Sequence, residues 1–258
     1  MTAAPPLGLP TLIQGIVGGP CDDRSVVAVT NLLDRVVYTF AQVDDLLGLA
    51  RSTAQRWIDG YRRQGRSYAP VIRPEATGSP LVTWGEFVEC RFLAEYREAG
   101  VPMLHMRPVV EKLRRQLKTN YPLASAQLWL SPQGREIVAK IQGELGGELE
   151  PSLYVVRTGD PLLPIEWTPP SRRFKDSLKW SSEAENAVPV LVWAEGTNKQ
   201  VEIDPLRSFG EPVVRGVQTA VIAELIRAGD PPEMVADLYD LDLAQVQAAL
   251  EYEQRRAA

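Results

Sequence analysis

Between Arg51 and Arg73 the chain places six arginines (Arg51, Arg56, Arg62, Arg63, Arg66 and Arg73) against a single acid, Asp59, a local charge of +5. Guanidinium groups pair bidentately with phosphate and with guanine edges, and glutamine does the same for adenine. Gln55 sits among these arginines. The chemistry on offer is recognition of nucleic acid. Gln55 and Arg56 are the candidates for reading bases, with Arg51, Ser52, Arg62, Arg63 and Arg73 as further DNA contacts. The whole chain carries net charge −5 and a pI near 5.2. A polyanion site is therefore a local basic patch on an acidic protein.

Catalytic equipment is sparse. His105 is the only histidine in 258 residues, and its setting, "VPMLHMRP", reads as packing or interface. Cys21 and Cys90 are the only cysteines, too few for a four-ligand zinc site, and they fit a reducing compartment. No phosphate loop occurs, and "QGELGGELE" lacks the context of a dinucleotide fingerprint. The pairs Asp22-Asp23 and Asp44-Asp45 read as solvated charge, because neighbours on a helix point apart. We expect no catalytic residue, metal or cofactor, and a cytoplasmic protein with no membrane partner. Residues 1–25, prolines and glycines without a basic start, read as a loose tail.

The elements that must position the arginines follow from periodicity. Phe40, Val43, Leu46 and Leu47 have helical spacing, closed by Gly48. A second helix begins near Ser52, a favoured N-cap residue, and Ala54, Trp57, Ile58 and Tyr61 form its inward stripe. That leaves Ser52, Gln55, Arg56, Asp59 and Arg63 outward. Two short helices about a glycine turn are the parts of a helix-turn-helix. A strand at 71–73, a turn and a strand at 81–82 would supply a wing. Thr83 and Glu86 form a capping box for a helix from Trp84 to Ala99. A further helix, closed inward by Met103, Met106, Val110, Leu113 and Leu117, runs to about Leu117.

Beyond Asn120 the pattern turns to strands: a hairpin of "QLWL" and "REIVAKI", a strand within 173–180, and a hairpin of "VPVLVW" and "QVEI". The last part is helical, with "VVRGVQTAVIAELIRAG" as one helix and two more capped by Asp230 and Asp242. From Glu202 onward there are eleven acids and five arginines. A phosphate-facing surface should not look like this, so this end suits a protein partner. The fold class expected is α+β. Its parts are a tail (1–25), a winged helix-turn-helix (26–122), a small β-rich middle domain (123–200) and a C-terminal three-helix domain (201–258).

Two stretches resemble a known family. "YTFAQVDDLLGLARSTAQRWIDGYRRQGRSYAPVIRP" with "GSPLVTWGEFVECRFLAEYREAGVPM" is similar to the DNA-binding domain of VapB-type antitoxins, built like the winged helix-turn-helix of mercury-resistance-type regulators. "VEIDPLRSFGEPVVRGVQTAVIAELIRAGDPPEMVADLYDLDLAQVQAALEYE" resembles a short domain often encoded beside a PIN-type ribonuclease toxin. One departure is Asp44, four residues before the turn glycine, where the family usually has a small residue; it predicts a wider helix crossing or a shifted frame. The resemblance implies an antitoxin that neutralises a PIN-domain ribonuclease and represses its own operon as a homodimer on operator DNA. On that reading Met103, Met106 and Leu113 form the dimer interface, and Glu233, Asp237, Asp240 and Glu251 meet the toxin. Arg255 and Arg256 would then reach the toxin's carboxylates. The alternative is a ligand-responsive regulator of mercury-resistance type, with a small molecule in the middle domain.

Overall fold

The computed structural model describes residues 32–131, 154–155, 166–182, 184–195 and 198–257. Strand β1 (Val36–Thr39) leads into helix α1 (Phe40–Leu46) through a capping box in which Thr39 and Gln42 satisfy each other's backbone amides. Gly48, at φ +60°, turns the chain toward α2 (Thr53–Ile58). Strands β2 (Tyr61–Arg63) and β3 (Arg66–Tyr68) follow as an antiparallel hairpin. Its two-residue turn, Gln64-Gly65, has both φ values positive (51° and 76°), the geometry that matches the twist of paired strands. This hairpin is the wing, not the segments at 71–73 and 81–82. The inward stripe of α2 stops at Ile58, and Tyr61 begins β2 instead. Gly60 makes that change of direction: at φ +75° it lies so close to the Tyr68 carbonyl that a Cβ would sit 2.5 Å from it.

Strand β4 (Leu81–Thr83) pairs with β1 and feeds α3 (Trp84–Glu98) through the expected Thr83–Glu86 capping box. Helix α4 (Met103–Leu117) comes next, followed by a 3-10 turn at Pro122–Ala124 and the short α5 (Ala126–Trp129). The "QLWL" segment is thus mostly helix; its proposed partner strand lies outside the described residues. Strands β5 (Tyr154–Val155) and β6 (Glu166–Trp167) form a two-residue ladder. Helix α6 (Pro169–Asp176), capped by Thr168, occupies the first half of the stretch expected to be a strand, and β7 (Leu178–Trp180) is its extended part.

Strands β7, β8 (Pro189–Trp193), β9 (Glu202–Ile203), β10 (Val213–Val214) and β11 (Val217–Gln218) form one antiparallel meander. The β10–β11 turn, Arg215-Gly216, again has two positive φ values (48° and 86°), so "VVRGVQ" is a hairpin rather than the start of a helix. Helices α7 (Thr219–Ala228), α8 (Pro232–Tyr239) and α9 (Leu243–Ala257) complete the chain. Asp242 caps α9 in a reciprocal pair with Gln245, as expected. Asp230 does not cap α8; Pro231 holds that position without a side-chain bond.

Packing ignores the boundaries expected at 122 and 200. The main core joins Val43, Trp57, Trp84 and Phe92 of the N-terminal part to Phe174, Val192 and Ile203. The meander itself runs across residue 200. Two-residue strands cannot bury a face alone, so β9–β11 need β7 and β8 beside them. A smaller core of Val201, Ile222, Val235, Val246 and Tyr252 holds the last three helices.

Candidate nucleic-acid interface

Ala54, Trp57 and Ile58 bury the inner face of α2. Arg51, Ser52, Gln55 and Arg56 are exposed on its outer side, and Arg62, Arg63 and Arg66 are exposed on the wing. The outer surface of the helix-turn-helix thus brings together every residue expected to touch DNA except one. Arg56 donates to the Arg51 carbonyl (3.3 Å) and Arg62 to the Ser67 hydroxyl (3.2 Å), contacts weak enough to be exchanged for phosphate.

The exception is Arg73. It is 8% exposed and acts inside the fold. Its guanidinium donates to Glu86 (2.6 Å), Asp59 (3.0 Å), Thr77 (2.6 Å) and the carbonyls of Ser79 (3.0 Å) and Leu81 (2.7 Å). One side chain therefore ties the end of α2 to β4 and the start of α3. Asp59 completes the knot by accepting from the Thr77 amide (2.6 Å) and the Gly78 amide (3.0 Å). Burial works to raise the Asp59 carboxyl, but these amides and Arg73 outweigh it and hold the group below its ordinary range. A fully partnered buried ion network fixes geometry more than it adds stability. Here it fixes the angle of α2.

Asp44 sets the other end. Ser52 occupies the N-cap position of α2 but sits in the left-handed region (φ 63°) and makes no capping bond. Asp44, buried on α1, takes over: its Oδ1 accepts from the Ala54 amide at 2.7 Å. Burial raises its pKa, against the Ala54, Ser52 and Thr53 amides that favour the charged form. The acid in place of a small residue is buried rather than solvated. It binds the second helix to the first. The signal was there in the sequence: a carboxylate one turn before a glycine turn that precedes a helix start.

Arg107 and Arg114 of α4 donate to the backbone carbonyls of Ala69, Pro70 and Ile72, fastening the segment after the wing. Met106 and Leu113 are fully buried in the chain's own core, so they offer no surface for a second copy; Met103 is half-buried. The reason is local: the stripe on α4 packs against the turn at 122–124 and closes into the chain's own core.

At the far end of the chain, Arg256 of α9 pairs with Asp45 of α1 (2.5 Å), Arg255 pairs with Glu195, and the Tyr252 hydroxyl donates to the Leu46 carbonyl (3.1 Å). Arg256 and Tyr252 seat the last helix against the helix-turn-helix, and Arg255 ties it to the segment after β8. Glu233 and Asp237 lie one turn apart on α8, exposed together with Met234 (61%) and Leu238 (65%). Asp240 and Glu251 are exposed as well, with Asp240 3.4 Å from Arg215 and Glu251 accepting from Gln247. Sequence periodicity had not singled out Met234 and Leu238, because an exposed apolar pair looks the same as a core pair until the neighbours are known.

Two short helices about a glycine turn, a wing and an arginine-bearing outer face define a winged helix-turn-helix protein. The chain belongs to the family of the Mycobacterium tuberculosis protein Rv2308, described as uncharacterized; the two are 37% identical over 236 residues, 89% of this chain and 94% of the relative. Residues 36–110 match a family model described as "Putative DNA-binding HTH domain", and residues 201–252 match one described as "Protein of unknown function (DUF433)". A second M. tuberculosis protein, named "Putative antitoxin VapB45", is 29% identical over 240 residues, covering 84% of this chain and 94% of its own. The crystal structure of Rv2018 from the same organism superposes with a TM-score of 0.67 at 26% identity, covering 84% of this chain and 99% of that one. Among the described residues no helix is long and apolar enough to cross a membrane.

Proposed function

We propose that this protein is the antitoxin of a toxin–antitoxin pair, neutralising a PIN-domain ribonuclease and repressing its own operon as a homodimer on operator DNA. The observation that carries the DNA half is the outward row of Gln55, Arg56, Arg62, Arg63 and Arg66 on the wing and on a helix whose end is tied by buried ion pairs. The match to a DNA-binding model over these residues supports it. The relative named as an antitoxin supports the other half, as does the acidic, partly apolar face of α8. A ribonuclease must attract RNA, so its rim is basic, and Glu233, Asp237, Asp240 and Glu251 suit such a rim. Arg255 and Arg256 already have acid partners within the chain, Glu195 and Asp45, which a toxin carboxylate would have to displace.

The dimer needs a face other than Met106 and Leu113. The test is co-expression with the product of an adjoining PIN-domain gene, followed by purification, RNA-cleavage assay and promoter binding. Co-purification with silenced cleavage and selective retention of the chain's own promoter is the expected result. Active nuclease in the presence of excess chain refutes the antitoxin reading, and equal retention of unrelated DNA refutes operator recognition.

A further inference from the structure

A cleft of about 640 Å³ opens between α2, the wing and the turn joining α3 to α4. Small-molecule sites run from roughly 300 to 1,000 Å³ and combine apolar walls with a few convergent polar groups. This cleft has both. Trp57, Tyr61, Tyr68 and Met103 supply apolar lining, and Arg56, Arg97 and Arg107 supply charge; no carboxylate lines it. The Tyr61 and Tyr68 rings stack on each other at 4.5 Å and 7°, each more than a third exposed, presenting a flat aromatic surface. Arg97 reaches from α3 to donate to the Thr53 hydroxyl (3.3 Å), and Arg56 lies one turn along the same helix as Thr53. Arg107 is held by the Ala69 and Pro70 carbonyls and steadies the wing. Neither Arg56 nor Arg97 forms an ion pair among the described residues, although the Asp44 carboxylate is near enough to Arg56 to feel its charge.

A duplex phosphate would satisfy the arginines and leave the aromatic lining wet. A flat ring bearing an acid group satisfies both. We propose that the cleft binds a small aromatic anion, ring against the tyrosine pair and acid group between Arg56 and Arg97, and that the bound anion releases DNA. Arg56 cannot serve the anion and a base edge at once. The release, though not the binding, rests on the operator-DNA reading above.

The probes are 2-naphthoate and its uncharged amide, titrated calorimetrically into the full chain. Naphthoate should saturate one site, with the amide bound about tenfold more weakly or worse, because charge-assisted hydrogen bonds are lost. Arg97→Gln should weaken naphthoate by a similar factor while leaving circular dichroism and the unfolding midpoint unchanged, and Tyr61→Leu should weaken both compounds. No saturable binding, equal binding of the amide, or full affinity in Arg97→Gln overturns the proposal. In the DNA arm, naphthoate should release promoter from the wild type at concentrations that leave the Arg97→Gln complex intact. If Arg97→Gln instead loses promoter and naphthoate never binds, the cleft serves DNA and the proposal is wrong. If the wild type binds no promoter at all, the DNA reading fails by itself and calorimetry still decides the cleft.

Discussion

The two ends of the chain use similar parts to opposite effect. Each has a two-residue β-turn with positive φ values, Gln64-Gly65 and Arg215-Gly216, next to a set of short helices. Around the first, charges of opposite sign are drawn inside, as in Arg73 with Asp59 and Glu86, and arginines are left outside. Around the last three helices most of the exposed charge is acidic, as in Glu233 and Asp237, with apolar Met234 and Leu238 beside them. Geometry alone therefore does not say what either end binds. The sign of the exposed charge is what separates them, and buried charge belongs to the scaffold.

The largest expected effect tests the buried side of that contrast. Arg73→Ala should cost about 3–5 kcal/mol of stability, because it leaves Asp59 and Glu86 buried without their cation. Denaturant unfolding measures it; a loss below 1 kcal/mol would mean that the network is ornamental. Trp57→Ala should fall in the same range, about 3–5 kcal/mol, since Trp57 is 5% exposed in the core.

Next comes a pH effect confined to the N-terminal part. Burial pushes the Glu89 carboxyl up to about 8, against the Leu123 amide and Arg114, which favour its charged form. In the unfolded chain it titrates near its ordinary 4.5. Between those values the folded state holds a proton that the unfolded state has lost. The group's contribution is therefore complete below the unfolded value and falls away as pH rises through the folded one. Glu89→Gln removes that loss, so the variant should gain on the wild type by about 1–3 kcal/mol between pH 5 and pH 9. Parallel stability curves for the two proteins would contradict the assignment.

The exposed side of the contrast predicts binding changes without unfolding. Arg56→Ala should cost about 1–3 kcal/mol in discrimination between operator and unrelated DNA, while Arg62→Ala should weaken all DNA alike and flatten the salt dependence. Fluorescence anisotropy at several salt concentrations separates the two; unchanged selectivity in Arg56→Ala would remove it from base reading. The smallest effect belongs to Asp240→Ala, whose partner Arg215 is well exposed: less than about 1 kcal/mol of stability. A larger loss would place that pair with the scaffold rather than the surface.

Separating the two ends calls for substitution rather than cutting. A break near Val201 would divide the five-stranded meander and strip β9–β11 of their neighbours, so neither fragment would keep its native packing.

Much of this was legible in the chain itself, wherever a short-range pattern has one physical outcome. The capping box at Thr83 and the left-handed glycines at 48, 100 and 229 act within a few residues. So do the full span of α4 and the outward position of Gln55 and Arg56. Where a pattern has two local outcomes, tertiary structure chose. Arg73 reads as one more basic residue until Asp59 and Glu86, 14 and 13 positions away, close around it. Asp44 reads as surface charge until the fold brings the unpaired amides of α2 against it. The stripe of Met106 and Leu113 suits a partner's helix or the chain's own core; the turn at 122–124, packed against it, settled it. Arg256 depends on Asp45, 211 residues earlier. Helix caps and turns are decided by bonds of three or four residues' reach, and so they are written locally. Whether a charge or an apolar face is inside depends on which distant surface arrives to cover it, and only the folded chain determines that.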